Sequence, residues 1–491
     1  MIRSTVGSSA RACVLVASVV AMPALAVAMP ALATDEAVPA VVPPAMYSVQ
    51  FVAAAATGVA MNASGDVTGT SYLDTGCGPF CLPPQDTVVW RGVQRIVLPQ
   101  VPGLTGIYVT GINAQGWVSG LAGFPGTTTH AIVWKPTGNT YAAIDLGLLP
   151  GTTYSEAIGI DDAGRAVGWS GRHDFTGGAP FVWSESTGML DLSAQGFPLD
   201  APEGISPGGA VATVDTWYRL GDPTSIVLMP PAPQSFMRSA DSMSINDAGE
   251  QARFLVNIGP ENLIYLFRFH HDDATWQMLS PSGTGHLSSA GIGSITPAGD
   301  VSATVLSTAL IAYGPDGTAQ PLADLLSPAY QGGGSGAIVG GGPMNSSGQI
   351  LARVMIGLEP RVVRLVPAAP CAAQCIRVIN LQMRGRFIPG PAGPGQCTIT
   401  SGENVVAVKA VVTSENGVRL GGVRIDGRFL DEYWTDRPVS AMTNAQGVAS
   451  FTNRGICGVG TVSFLIDNAT KGVRTLDRTT GVLAADVIPT L

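Results

Sequence analysis

The sequence predicts an all-β protein: a seven-bladed β-propeller followed by an immunoglobulin-like β-sandwich. Three observations lead there. Of 491 residues, 62 are Gly and 36 Pro, only 12% are charged and 46% are apolar. That is too much Gly for long helices, where each interior Gly costs roughly 1 kcal/mol, and too much apolar surface for disorder. A phrase built around a turn recurs seven times at a spacing near 48 residues. Beyond residue 370 the phrase stops and the charge balance reverses.

The N-terminus reads as an export signal over residues 1–33. Arg3 and Arg11 supply the positive start, Ala12 to Val20 the apolar run, and Ala31-Leu32-Ala33 an A-x-A cleavage motif before Thr34. Pro23 and Pro30 interrupt a run too short to cross a bilayer, and no other stretch reaches the roughly 18 apolar residues of a span. The mature chain is therefore expected to be secreted or periplasmic, with no membrane span after cleavage. Residues 34–45 read as a Pro- and Ala-rich linker. Loss of Cys13 leaves six cysteines, an even number suited to an oxidising compartment. Six allow 15 connectivities; proximity favours Cys77 with Cys81, Cys371 with Cys375 and Cys397 with Cys457. Zinc is the weaker reading, because C-x3-C is a poor spacing and no histidine lies near either short pair.

The repeat is clearest as GVAMNASGDVTG at 58–69, VTGINAQGWVSG at 109–120 and AIGIDDAGRAVG at 157–168, with weaker copies from Glu203, Met243, Gly293 and Gly342. Its turn glycines are Gly65, Gly116, Gly164, Gly209, Gly249, Gly299 and Gly348. Each phrase reads as a hairpin: an apolar strand, an N-x-x-G or D-x-x-G turn, a second strand. A connection built on a type I turn ends in a left-handed residue, which Gly adopts without penalty. The leading Asn or Asp bonds to the backbone two residues on. A third apolar strand follows, as in HAIVW at 130–134, and then a shorter fourth, as in AAIDLG at 142–147. Four antiparallel strands per 45–50 residues is the pattern of a propeller blade, which gives a propeller over 46–370. The seventh unit ends at Pro367 after three strands, whereas MYSVQFV at 46–52 precedes the first unit as an orphan. This strand is expected to complete the last blade and close the ring, removing open sheet edges.

The cores GIN-x-x-G-x-V-x-G and HAIVW resemble the extracellular HAF repeats of bacterial exported proteins, named for a triplet that stands here as His130-Ala131-Ile132. The resemblance covers about 58–366. It implies an exported, propeller-shaped protein and brings no established activity or catalytic residues.

Residues 371–491 hold 12 basic and 9 acidic residues, whereas 34–370 hold 12 basic and 26 acidic. Alternating runs at 405–412, 422–430, 448–453 and 460–467 read as short strands. A chain of this length with such strands suggests the Ig-like sandwich. Thr443 to Ala449 resembles the hairpin of Ig-like modules at the C-termini of bacterial secreted hydrolases and adhesins.

Chemical motifs are sparse. There is no G-x-S-x-G elbow, H-E-x-x-H, Walker loop or strand-linked G-x-G-x-x-G, so no catalytic residue, metal site or cofactor is assigned. His270-His271-Asp272-Asp273 is the densest polar cluster, but it falls where a solvated turn is expected. The long loops 70–87, 121–129 and 169–179 leave the second strands of blades one to three. They are the expected ligand face, with Trp169 as a stacking platform and Tyr72, Asp74, Arg172, His173 and Asp174 as polar or aromatic partners. The N-x-x-G turns, short and uniform, are expected to leave the opposite face plain. The leading functional reading is a secreted binding protein for a glycan or protein at the cell exterior. The alternative is a polysaccharide-active hydrolase or lyase using Asp74, His173 and Asp174. Nucleic acid is disfavoured, since the mature chain carries 24 basic against 35 acidic residues and no basic cluster.

Overall fold

The computed structural model describes residues 46–490, except 55, 73–84, 93, 124–127, 173–176, 235, 258–262, 280–289, 306–307, 313–316, 318, 331–336, 357–358, 390–401, 432–435 and 457–459. The export signal and linker expected over 1–45 therefore lie outside the described residues.

Seven four-stranded antiparallel sheets succeed one another along the chain, forming a seven-bladed propeller. In six of them strand order follows the chain; blade 2, for example, runs Ile107–Ile112, Val118–Ala122, His130–Thr137, Thr140–Asp145. In the seventh, the strand Tyr47–Ala54 pairs outside Glu359–Pro367, next to Ile350–Ile356 and Ala337–Met344. The first and last strands of the ring thus share one sheet.

Third strands such as that of blade 2 are apolar runs because stacked blades cover both of their faces. In blade 2, Ala131 to Trp134 are all buried. Ile132 and Trp134 pack with Val89 and Ile96 of blade 1, while Ala131 and Val133 pack with Ala157 and Phe181 of blade 3. Seven such cores occur, one between each pair of neighbouring blades.

The turn glycines all sit in the left-handed region, with φ from +71 to +87. A second glycine of the motif has a different cause. The inner strands of blades 1, 2 and 3 carry a β-bulge at Val59, Thr110 and Ile158. The extra residue crowds the strand beside it. A Cβ on Gly69, Gly120 or Gly168 would stand 1.9–2.0 Å from a carbonyl oxygen of the bulged strand. Gly120→Ala is therefore expected to lower stability by about 2 kcal/mol through backbone displacement, read as a lower denaturation midpoint at unchanged slope; a neutral result would show that the bulge does not set this position.

The C-terminal strands, Cys375–Pro389 to Ala484–Val487, form one eight-stranded sheet that is nearly closed on itself. The two layers expected of a sandwich are here two halves of a single curled sheet, wrapped around Phe429, Phe451 and Phe464. The Asn444–Gly447 turn joins Asp436–Met442 to Val448–Ile456, the two end strands of that sheet. Cys371 and Cys375 form a disulfide where the chain enters it; Cys77, Cys81, Cys397 and Cys457 fall outside the described residues.

The core between blades 6 and 7 continues without a break into this C-terminal domain. Ser327 is the pivot: its N–H donates to Tyr47 O at 2.7 Å and its Oγ to Arg478 O at 2.7 Å. Leu483 N–H donates to Ala329 O at 2.9 Å, and Arg478 Nη1 to the hydroxyl of Tyr330, which burial keeps protonated by pushing its pKa up. Arg428 covers the ring of Phe51 at 4.1 Å. The C-terminal domain thereby grips the ring-closing strand.

Candidate functional site

The bulges and turns together shape the centre of the ring. A cavity of about 560 Å³ is lined by the inner strands of all seven blades and by the turns that follow them. The bulged residues Val59, Thr110 and Ile158 form part of its wall, with Met61, Met243 and Met344. The face carrying the N-x-x-G turns, expected to be plain, is thus the rim of a cavity.

The turn asparagines build that rim. Asn113 Oδ1 accepts from the N–H groups of Gln115 and Trp117 at 3.1 and 2.8 Å, so it caps its turn both two and four residues on. Its Nδ2 donates to Asp161 O, the equivalent carbonyl of blade 3, at 2.9 Å. Asn345 bonds in the same way to Asn62 O at 3.2 Å, Asn62 to Asn113 O at 3.1 Å, and Asn246 to Thr296 O at 3.0 Å. All four side chains are buried, where an amide must be satisfied at both ends.

Where the motif departs from Asn, the belt continues by other means. Asp161 has no donor; its Oδ2 binds Arg165 at 2.7 Å, and Asp162 N–H crosses to Pro207 O at 2.8 Å. Gly208 N–H donates to Asp247 Oδ1 at 2.6 Å, linking blades 4 and 5. Between blades 6 and 7, Ser294 Oγ donates to Met344 O at 3.0 Å. The rim is roofed as well as tied: Arg91, Trp117, Arg165 and Trp217 lie over the turn glycines of the following blades, Gly116, Gly164, Gly209 and Gly249. Beneath Gly116, Tyr141 donates to its carbonyl at 3.0 Å, and burial pushes that phenol up to about 12.

Of the residues expected on the ligand face, Trp169, Arg172 and Tyr72 are described. Tyr72 ends its second strand, Trp169 lies within the second strand Ala166–Gly171 and Arg172 just beyond it, and none lines the cavity. Trp169 is half-buried and lies against Gly171 and Gly178 of its own blade, where a Cβ would stand 2.6 and 2.7 Å from its ring. That seat makes the indole part of the blade. Asp74, His173 and Asp174 fall outside the described residues. His270 is engaged within blade 5, Nδ1 with Glu250 at 3.2 Å and Nε2 with Gln277 at 3.1 Å. Among the described residues no cluster of His, Cys, Asp or Glu could hold a metal ion, and no helix is long and apolar enough to cross a membrane.

No protein-family model and no curated protein matches the chain. Among solved structures it is similar to the extracellular domain of a protein named as a one component system of B. thetaiotaomicron, at 9% identity and a TM-score of 0.35, over 90% of this chain and 57% of that one. The chain thus spans just over half the length of that relative. It is also similar to the exo-β-1,3-galactanase of Phanerochaete chrysosporium, at 8% identity, TM-score 0.24, over 89% and 97% of the two chains. The xylan β-1,4-xylosidase of Bacillus halodurans matches at 9% identity, TM-score 0.25, over 91% and 96%. The fold assignment rests on the hydrogen-bonded sheets described above, and these likenesses add no weight to any activity.

Proposed function

We propose that the protein is an exported binding protein, a relative of the HAF-repeat propellers, that takes its ligand at the channel mouth on the face of the N-x-x-G turns. The observation that carries this reading is the cavity itself: about 560 Å³, within the size range of ligand sites, and walled by all seven blades. Its rim is hydrogen-bonded from blade to blade, so the site is preformed and binding orders little additional chain. Two of the three carboxylates there, Asp162 and Asp247, each hold a neighbouring backbone N–H through Oδ1, at 2.8 and 2.6 Å. They serve as fixed rim groups, which favours binding over a hydrolase. Residues 1–33 would be removed on export, and the divide between ring and C-terminal domain falls near Pro370.

A thermal-shift screen of the purified protein against oligosaccharides, peptides and amines tests the location. Stabilisation should disappear in Ala114→Trp, which fills an exposed rim position, and persist in Trp169→Ala/Arg172→Ala. The reverse pattern would place the ligand on the loop face and refute the channel site.

A further inference from the structure

We infer that the channel mouth selects a ligand rich in hydrogen-bond donors and positively charged, an ammonium- or guanidinium-bearing molecule; this rests on the channel site proposed above. The inference comes from the inventory of polar groups at the mouth. The donors of the turn asparagines, of Thr110 and of Ser294 are engaged. The amide nitrogens of Asn62, Asn113, Asn246 and Asn345 point to carbonyls of the next blade and are buried. Thr110 Oγ1 donates to Ala157 O at 2.9 Å and Ser294 Oγ to Met344 O at 3.0 Å. Three rim N–H groups are likewise occupied: Ala114 by Asp162, Gly208 by Asp247, and Asp162 by Pro207 O. Three further lining positions, Pro207, Pro297 and Pro343, have no N–H to give.

Acceptors remain. Asp162 and Asp247 each use one oxygen on the rim, and an ionised carboxylate offers about four lone-pair sites. Glu203 lines the same wall, and among the described lining residues these three are the only charged ones. Arg165 is engaged with the Asp161 carboxylate and Arg219 with the backbone carbonyl of Asp247, and neither lines the cavity. A recess whose charged groups share one sign focuses the opposite charge, and a ligand entering it must bring its own donors to satisfy the acceptors it desolvates. An anionic ligand meets repulsion from the three carboxylates.

Spermidine is a suitable probe, titrated calorimetrically into the purified full chain at low salt. Saturable binding should weaken about tenfold in Asp162→Asn/Asp247→Asn, whose amides keep the Oδ1 contacts and hence the rim. It should be lost in Ala114→Trp and be unchanged in Asp222→Asn/Asp273→Asn, which removes two exposed carboxylates from outer turns. Melting temperature checks that each variant folds. Absence of saturable binding, or equal weakening by the outer-turn pair, overturns the cationic preference. If a neutral compound is then blocked by Ala114→Trp, the channel site stands with a different ligand class. If no compound, charged or neutral, is blocked by Ala114→Trp, the channel site falls as well.

Discussion

Deleting residues 46–54 should leave a chain that no longer melts as one cooperative unit. The strand Tyr47–Ala54 pairs with Glu359–Pro367 over seven register positions, from Tyr47↔Pro367 to Ala54↔Arg361. Its Tyr47 and Val49 are buried in the core shared by blade 7 and the C-terminal domain. Full burial of each such side chain contributes about 1.5–3 kcal/mol, and the lost ladder exposes the edge of blade 7 to association. The total, on the order of 5 kcal/mol, is comparable to the whole stability of many domains. Circular dichroism should show a broad transition more than about 10 °C lower, with aggregation in size exclusion. An unchanged melt would mean that the ring is closed by something other than this strand. Ser327 lets the deletion act at a distance, because it bonds both Tyr47 and Arg478; near-ultraviolet signals of the C-terminal domain should change with those of the ring.

Asn113→Leu is the point substitution with the largest expected effect, about 3–4 kcal/mol. It removes two accepted bonds inside the turn and one donated bond to blade 3, leaving the N–H groups of Gln115 and Trp117 and the carbonyl of Asp161 without this partner. Asn113→Asp separates the two roles. The carboxylate still caps the turn but sets an acceptor against Asp161 O, so roughly half of the loss is expected to remain. Urea unfolding of both variants measures this. Full rescue by Asp would show that Asn113 serves its own turn only, and that its bond to Asp161 O adds nothing to the other links between blades 2 and 3, such as Ala114 N–H to Asp162.

The local half of that asparagine's role is legible in the sequence, because N-x-x-G is a turn within one segment. The other half is not, since its partner lies one repeat away: Asn62 to Asn113 spans 51 residues and Asn113 to Asp161 spans 48. A signal was present, however. Asn recurs at the repeat period, and a side chain reaching sideways from one blade meets the same position in the next. Gly69, Gly120 and Gly168 likewise recur in register, but a glycine within a strand announces close approach without naming what approaches; here it is the bulged inner strand. The cavity on the turn face, expected to be plain, was not legible for the same reason. Its polar lining, Asn62, Asn113, Asp162, Asp247 and their like, reads in the sequence as turn chemistry, whereas Trp169 and Arg172 stand out in a sequence and do not line the cavity. In the C-terminal domain, strands are readable from alternation, yet Phe429, Phe451 and Phe464 would fill a sandwich and a curled sheet equally well.

The central claim is that the seven turns form one fixed rim around a preformed site. Amide hydrogen exchange tests it most directly, at Asp66, Trp117, Arg165, Glu250 and Gln349, each of which donates to the turn side chain four residues earlier. A rim tied from blade to blade predicts that all five exchange together, only through global unfolding, with the same dependence on denaturant. Exchange through local openings that differ from blade to blade would contradict it.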